Sequence, residues 1–253
     1  LTMTGGTVNT GASPYNYAEM TAGTSGGTGR GYISITADNV VMIAGNIDAN
    51  CGVQLLTYGP DAGGGSDIIV YTDNLTLTAK GQTNAWSRII TNGGGNIYVN
   101  IPSGGSGNIT LTGGAGTGAF ASIYNTTSGD IYCNATDTLS LTAGSGTNAI
   151  SQIYSVSGNV DVTGGTISLT SAGGTSAYTR IGSSNGNVIV TTNSSDLTMT
   201  AGTVASAYTG IFTASGNITF YLNGNLVMNS DHTKTAYCLI QSYGDTTFSK
   251  VSD

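Results

Sequence analysis

The sequence predicts an all-β protein, a parallel β-helix of about eight coils with three strands in each coil and roughly 30 residues per coil. Two observations favour this fold. A short apolar-x-apolar pattern recurs along the whole chain, and residues that favour helices are scarce, with a single Glu and only 6 Lys and Arg. Gly accounts for 40 of the 253 residues and charged residues for only 8%, well below the ~25% of an ordinary globular domain.

The first strand pattern of each unit sets the period. Its eight occurrences are separated by 39, 35, 34, 30, 28, 30 and 29 residues, and they begin at Leu1, Val40, Leu75, Ile109, Leu139, Ile167, Leu197 and Leu226. We therefore expect one domain over residues 1–253, with coils at approximately 1–37, 38–72, 73–107, 108–136, 137–164, 165–194, 195–224 and 225–253.

Two further strand patterns follow in each unit. The second is Ala-x-x-x-Ile, as in Ala149 to Ile153, and the third follows a Gly-Asn or Gly-Asp pair, as in Val160 and Val162. A single unit cannot bury its own apolar side, whereas stacked units can. Parallel crossovers favour a right-handed winding. A β-sandwich of short strands is the alternative, but it does not require the same residue type at the same place in successive units.

A polar corner recurs directly before the third strand. Glycine there is expected to supply a positive φ, and the Asn or Asp that follows it is expected to hydrogen-bond along the stack. This predicts a structural corner ladder of Asn96, Asp130, Asn159, Asn187, Asn217 and Asp245.

Aromatic side chains alternate with inward residues in the second strand and are therefore predicted to point outward. They form a candidate face for binding or lateral packing, made of Tyr17, Trp86, Phe120, Tyr124, Tyr154, Tyr178, Tyr208, Phe212 and Tyr237. Exposed apolar patches often mark interfaces, and rows of rings can stack on sugars. The alternative is that the rings stack only on one another and stabilise the rod.

The first strand carries a second outward surface, rich in Thr. Its candidate residues are Thr76, Thr78, Thr110, Thr112, Thr198 and Thr200. The surface resembles the Thr-x-Thr ice-binding faces of β-solenoid antifreeze proteins. Ser replacements and interruptions at Val41 and Val227 favour the simpler interpretation that Thr is a suitable exposed strand residue.

Charge and chemistry argue against several classes of function. The net charge is −7 without any basic cluster, so neither nucleic acid nor an anionic membrane is an expected partner, and no apolar run is long enough to insert into a bilayer. His232 is the only histidine, and Cys51, Cys133 and Cys238 are widely spaced and predicted to point inward. We expect no metal site, no cofactor, no catalytic residues and no enzymatic activity.

The strings Gly107-Asn-Ile-Thr-Leu-Thr112, Asp73-Asn-Leu-Thr-Leu-Thr-Ala79 and Ser157-Gly-Asn-Val-Asp-Val162 resemble the repetitive β-helical shafts of large bacterial surface proteins. These are the filamentous-haemagglutinin-type adhesins and autotransporter passenger domains. The resemblance implies a secreted bacterial shaft for adhesion or surface structure, located outside the cell or at its surface.

Neither terminal unit contains an obvious cap, and open sheet edges are templates for pairing. The sequence thus favours a structural or adhesive filament that stacks head to tail, or a segment of a longer shaft. Its expected partner is itself, with surface glycans as a further possibility. The alternative is a carbohydrate-binding or ice-binding β-helix that uses the aromatic or the Thr-rich surface.

Overall fold

A computed structural model of the chain describes residues 1–5, 17–24, 31–45, 49–59, 66–100, 107–231 and 235–250. These residues form strands paired only in parallel, and no helix occurs among them. The predicted all-β parallel solenoid is confirmed.

The described residues form twenty-two strands. They are β1 (Thr2–Thr4), β2 (Tyr17–Ala22), β3 (Ile33–Ile43), β4 (Gly52–Tyr58), β5 (Ile68–Thr78), β6 (Trp86–Asn92), β7 (Ile97–Asn100), β8 (Asn108–Thr112), β9 (Phe120–Asn125), β10 (Ile131–Asn134), β11 (Thr138–Thr142), β12 (Ile150–Ser155), β13 (Val160–Gly164), β14 (Thr166–Thr170), β15 (Tyr178–Ser183), β16 (Val188–Thr192), β17 (Leu197–Thr200), β18 (Tyr208–Thr213), β19 (Ile218–Leu222), β20 (Leu226–Asn229), β21 (Tyr237–Ser242) and β22 (Thr246–Lys250).

The strands stack into three faces. The aromatic face consists of β2, β4, β6, β9, β12, β15, β18 and β21. The Thr face consists of β1, the second halves of β3 and β5, and β8, β11, β14, β17 and β20. The third face consists of the first halves of β3 and β5, and β7, β10, β13, β16, β19 and β22.

The repeat forms about six turns of about 30 residues, which is somewhat fewer than the predicted eight coils. The first three units are longer, with spacings of 39, 35 and 34 residues, and β3 and β5 run across the corner between the third face and the Thr face. Their ladder continues there, since Ala37 still pairs with Thr72 and Asn39 with Asn74. This continuity joins the two faces into one 14-stranded sheet.

The main core is one cluster of inward side chains along the rod, and three smaller clusters of mostly Ala accompany it. Equivalent residues of successive coils lie in register, as in the column Leu75, Ile109, Leu139, Ile167 and Leu197. All five are fully buried, and burial of each such side chain contributes roughly 1.5–3 kcal/mol. The side chains that the alternating sequence pattern predicts to point inward in these strands are therefore the ones that the structure buries.

The three cysteines also belong to the inward set. Cys51 and Cys133 are buried and Cys238 is half-buried, and none forms a disulfide. They act as small side chains in the core.

The corner glycines do not have the predicted positive φ. Positive φ occurs instead at Gly23, Gly93 and Gly118 among the described glycines. The corner requires glycine for a different reason, which is close approach between coils. A Cβ at Gly158 would overlap the carbonyl oxygen of Gly129 in the preceding coil, and the equivalent glycines of the other coils show the same overlap.

The corner ladder joins each coil to the next. The side-chain oxygen of Asp130 accepts a hydrogen bond from the backbone N–H of Asn159 at 2.7 Å, and that of Asn159 accepts one from the N–H of Asn187 at 2.9 Å. The series extends from Asp67 to Asp245. Because only an oxygen acceptor is used, Asp and Asn are interchangeable in it.

A buried hydroxyl column reinforces the same corner from inside. The Ser183 hydroxyl donates to the Gly158 carbonyl at 2.7 Å and accepts from the Gly186 N–H at 2.8 Å. Ser155 and Thr213 make the same pair of bonds in neighbouring coils. These inward polar residues satisfy backbone groups that the tight corner would otherwise leave buried without partners.

We predict that Gly158→Ala destabilises the fold by about 1–3 kcal/mol, because the new methyl group must displace the backbone of the preceding coil. Thermal and chemical unfolding measure the change. Gly173→Ala is the matched control, since a Cβ there meets nothing within 4 Å. Equal unfolding free energies for the two variants would contradict the close-approach explanation.

Candidate functional site

The aromatic face presents three outward columns in register. The first reads Tyr17, Gly52, Trp86, Phe120, Ile150, Tyr178, Tyr208 and Tyr237, and the third reads Thr21, Leu56, Ile90, Tyr124, Tyr154, Gly182, Phe212 and Gln241. Between them runs a polar column of Glu19, Gln54, Arg88, Ser122, Gln152, Arg180, Gly210 and Leu239.

Neighbouring rings of the two aromatic columns stack on one another. Tyr178, Tyr208 and Tyr237 form a continuous stack with ring centres 4.9 and 5.6 Å apart. In the third column, Tyr124 and Tyr154 stack at 5.8 Å. Such pairs contribute about 0.5–1.5 kcal/mol beyond burial, so part of the aromatic surface stabilises the rod itself.

Two glycines let rings meet across an intervening coil. Trp86 lies over Gly52, where a Cβ would overlap the indole, and its ring centre is 6.1 Å from that of Tyr17. At the equivalent place in the third column, Tyr154 and Phe212 approach to 5.8 Å across Gly182. At both glycines, an aromatic ring from a neighbouring coil thereby fills the space that a side chain would otherwise occupy.

Side chains of the polar column form two hydrogen-bonded segments, one on each side of Ser122. Gln54 donates to the Glu19 carboxylate at 2.5 Å and accepts from Arg88 Nε at 2.6 Å. Further along, Gln152 accepts from Arg180 Nε at 2.7 Å. Since Arg only donates and a carboxylate only accepts, these contacts fix the orientation of both Gln amides.

The two Arg guanidiniums lie against aromatic rings. The Arg88 guanidinium carbon is 4.6 Å from the Trp86 ring centre, and that of Arg180 is 4.0 Å from the Tyr154 ring centre. Burial lowers the pKa of Arg88, and the Glu19 carboxylate opposes that shift. The contacts of both Arg residues with the rings and the Gln residues were not predicted from the sequence.

The polar column is interrupted at Ser122, a short side chain between two long ones. An open cleft of about 380 Å³ lies there, lined by Arg88, Ile90, Asn92, Phe120, Ser122, Tyr124, Thr126, Ile150 and Gln152. The only sequence signal for it was the small residue in a column of Gln and Arg. The column also lacks a side chain at Gly210, but there the Tyr208 ring stands 3.6 Å from the Cβ position and covers the gap.

The Thr face has two outward columns in register, with each candidate Thr half-buried. The pairs Thr76–Thr110 and Thr78–Thr112 are direct neighbours. Ser140 and Ser168 separate Thr110 from Thr198. The structure thus brings the predicted Thr residues onto one surface, with the replacements noted in the sequence lying between them.

Other candidate chemistry is sparse in the part of the chain that the structure describes. It contains no group of three or more His, Cys, Asp or Glu side chains able to hold a metal ion, and no helix there is long and apolar enough to cross a membrane. Asp161 lines a shallow cavity of about 320 Å³ on the third face, and burial raises its pKa. His232 lies outside the described residues.

No family of known proteins, no curated protein and no solved structure matches this chain. The resemblance to bacterial surface shafts therefore rests on the repeat pattern alone.

We predict that Tyr208→Phe reduces the loss of stability at alkaline pH. Burial raises the pKa of Tyr208 to about 12, from an ordinary value of 10.0, with Arg180 opposing the shift. The folded state thus holds this proton more tightly than the unfolded chain, and stability falls as the pH rises from about 10 to 12.

Thermal midpoints measured across that range test the change, with Tyr243→Phe, at a 77% exposed side chain, as the control. Identical pH profiles for wild type and Tyr208→Phe would contradict it.

Proposed function

We propose that this chain is a non-catalytic structural rod that assembles head to tail with further copies of itself into a filament. The supporting observation is the exposure of core positions in the last coil. Met228 and Phe248 are 42% and 55% exposed, whereas Met199 and Phe220, their partners one coil earlier, are fully buried. Exposed apolar clusters usually mark interfaces.

The strands of the last coil also have an unpaired edge. Among the described residues, β20, β21 and β22 each pair on one side only, which leaves a row of backbone donors and acceptors open. Such an edge is a template for another strand. A stacked coil from a second copy would satisfy these groups and cover the exposed side chains together.

The first coil offers complementary residues at the same column positions. Continuation of the stack would place Tyr237 against Tyr17 and Met228 against Met3, and both tyrosines are now largely exposed, at 46% and 57%. Phe248 would meet Ile35, which occupies the same inward column. The Tyr178–Tyr208–Tyr237 ring stack would then extend into the next copy.

A heterologous contact of this kind generates an open fibre, because the translation along the rod does not close. The resemblance to secreted bacterial shafts supports a location outside the cell or at its surface.

We expect the purified chain of residues 1–253 to form fibres of uniform width, with a mean mass that rises with protein concentration. Negative-stain electron microscopy and sedimentation velocity measure both. The double variant Met228→Asp/Phe248→Asp should remain monomeric, since buried charges would face the partner coil. The matched control is Val227→Asp/Thr247→Asp, which adds the same charge one residue away on the outward side of the same strands, and it should still assemble.

A wild-type chain that stays monomeric at every concentration would overturn the proposal, and would favour a neighbouring segment of a longer shaft as the unit that covers this coil. Equal assembly of the two double variants would also count against the proposed contact.

A further inference from the structure

The cleft at Ser122 contains polar groups that have no protein partner. Gln152 is 9% exposed and Ser122 is 1% exposed. Gln152 uses its side-chain oxygen to accept from Arg180, so its NH2 group remains. Neither that NH2 group nor the Ser122 hydroxyl has a hydrogen-bond partner within the described ranges. Both polar atoms still reach solvent through the cleft, so they are available to a ligand.

Arg88 supplies a second donor from the other side of the cleft. Its Nε is occupied by Gln54, which leaves the terminal N–H groups of the guanidinium. The guanidinium carbon also lies 6.0 Å from the Phe120 ring centre, in the coil of Ser122. The cleft is thus bounded by Arg88 one coil before Ser122 and by Gln152 one coil after it.

The two donors make the cleft complementary to an acceptor with negative charge. Two coil steps span about 10 Å, which leaves room for a small ring with an acidic substituent between the Arg88 and Gln152 levels. Charge-assisted hydrogen bonds from Arg to a carboxylate are stronger than neutral ones. The Glu19 carboxylate bonds to Gln54 and not directly to Arg88, so the terminal N–H groups of the guanidinium still favour an anionic ligand.

The walls of the cleft add apolar and aromatic surface. Phe120 and Ile150 lie on one side of the polar column, and Tyr124 and Ile90 lie on the other. A volume of about 380 Å³ is at the small end of the range for ligand sites. Rings with apolar faces and polar edges suit such walls.

We propose that this cleft binds a hexuronate residue of an acidic polysaccharide. The uronate carboxylate accepts from the Arg88 guanidinium, ring hydroxyls bond to Ser122 and to the Gln152 amide at the other end of the cleft, and the pyranose ring packs between Phe120 and Tyr124. This site lies on the side of the rod, so it is independent of the proposed assembly through the ends.

Isothermal titration with a galacturonate trimer tests the proposal, and the methyl-esterified trimer is the matched ligand because it keeps the rings but loses the charge. We expect binding of the acid form and binding at least about tenfold weaker for the ester, since a hydrogen bond to a charged group is lost. Binding of the acid form should also weaken as salt is added.

Three variants locate the site. Arg88→Gln should weaken binding at least about tenfold, whereas Lys80→Gln, which removes the same charge from an exposed side chain outside the cleft, should leave it within about twofold. Ser122→Gln places a long side chain in the gap, as at Gln54 and Gln152, and should abolish binding without unfolding the chain. Circular dichroism checks the fold of each variant.

Absence of binding to the acid trimer, or equal binding of acid and ester, would overturn the proposal. Equal losses in Arg88→Gln and Lys80→Gln would do the same, because the general loss of positive charge, and not contact in this cleft, would then explain the weaker binding.

Discussion

The rest of the structure depends on the close stacking of one coil on the next at the glycine corner. The coils approach so closely there that a methyl group on Gly158 would overlap the carbonyl of Gly129. The Asp130–Asn159–Asn187 ladder outside and the Ser183 hydroxyl inside hold the same corner. Once this register is fixed, every position of the repeat falls into a column, and each side chain meets its equivalents from the coils above and below.

The stacking of equivalent residues in columns determines which outward side chains remain available to a partner. Rings at equivalent positions stack, and Arg180 packs against Tyr154, so much of the aromatic face is satisfied within the molecule. Exposed apolar side chains or open space remain where a column ends or is interrupted. The last coil ends the core columns at Met228 and Phe248, and Ser122 interrupts the polar column.

Assembly and ligand binding would reinforce each other in such a rod. Eight strands of the aromatic face, at about 4.8 Å each, span roughly 35–40 Å. Stacked copies would repeat the Ser122 cleft at that interval along a filament. A polysaccharide that engages several clefts gains avidity from effective concentration even where each site is weak.

The sequence by itself determined the three-strand repeat, the inward columns and the outward order of the aromatic and Thr residues, because a period of two within strands and of about 30 between them leaves little freedom in how the apolar residues are buried. It could not reveal the reason for the corner glycines. A positive φ and a close approach both call for Gly, and only the distance to Gly129 separates them.

Only the tertiary structure decided which contacts the outward side chains make and where a cleft remains between them. Long side chains such as Arg88 have many rotamers, and their partners lie a whole coil away in sequence. The same holds for the cleft, since a Ser in a column of Gln and Arg leaves an opening only if the neighbouring rings do not close it. Tyr208 closes the equivalent gap at Gly210, whereas Phe120 and Tyr124 leave the one at Ser122 open.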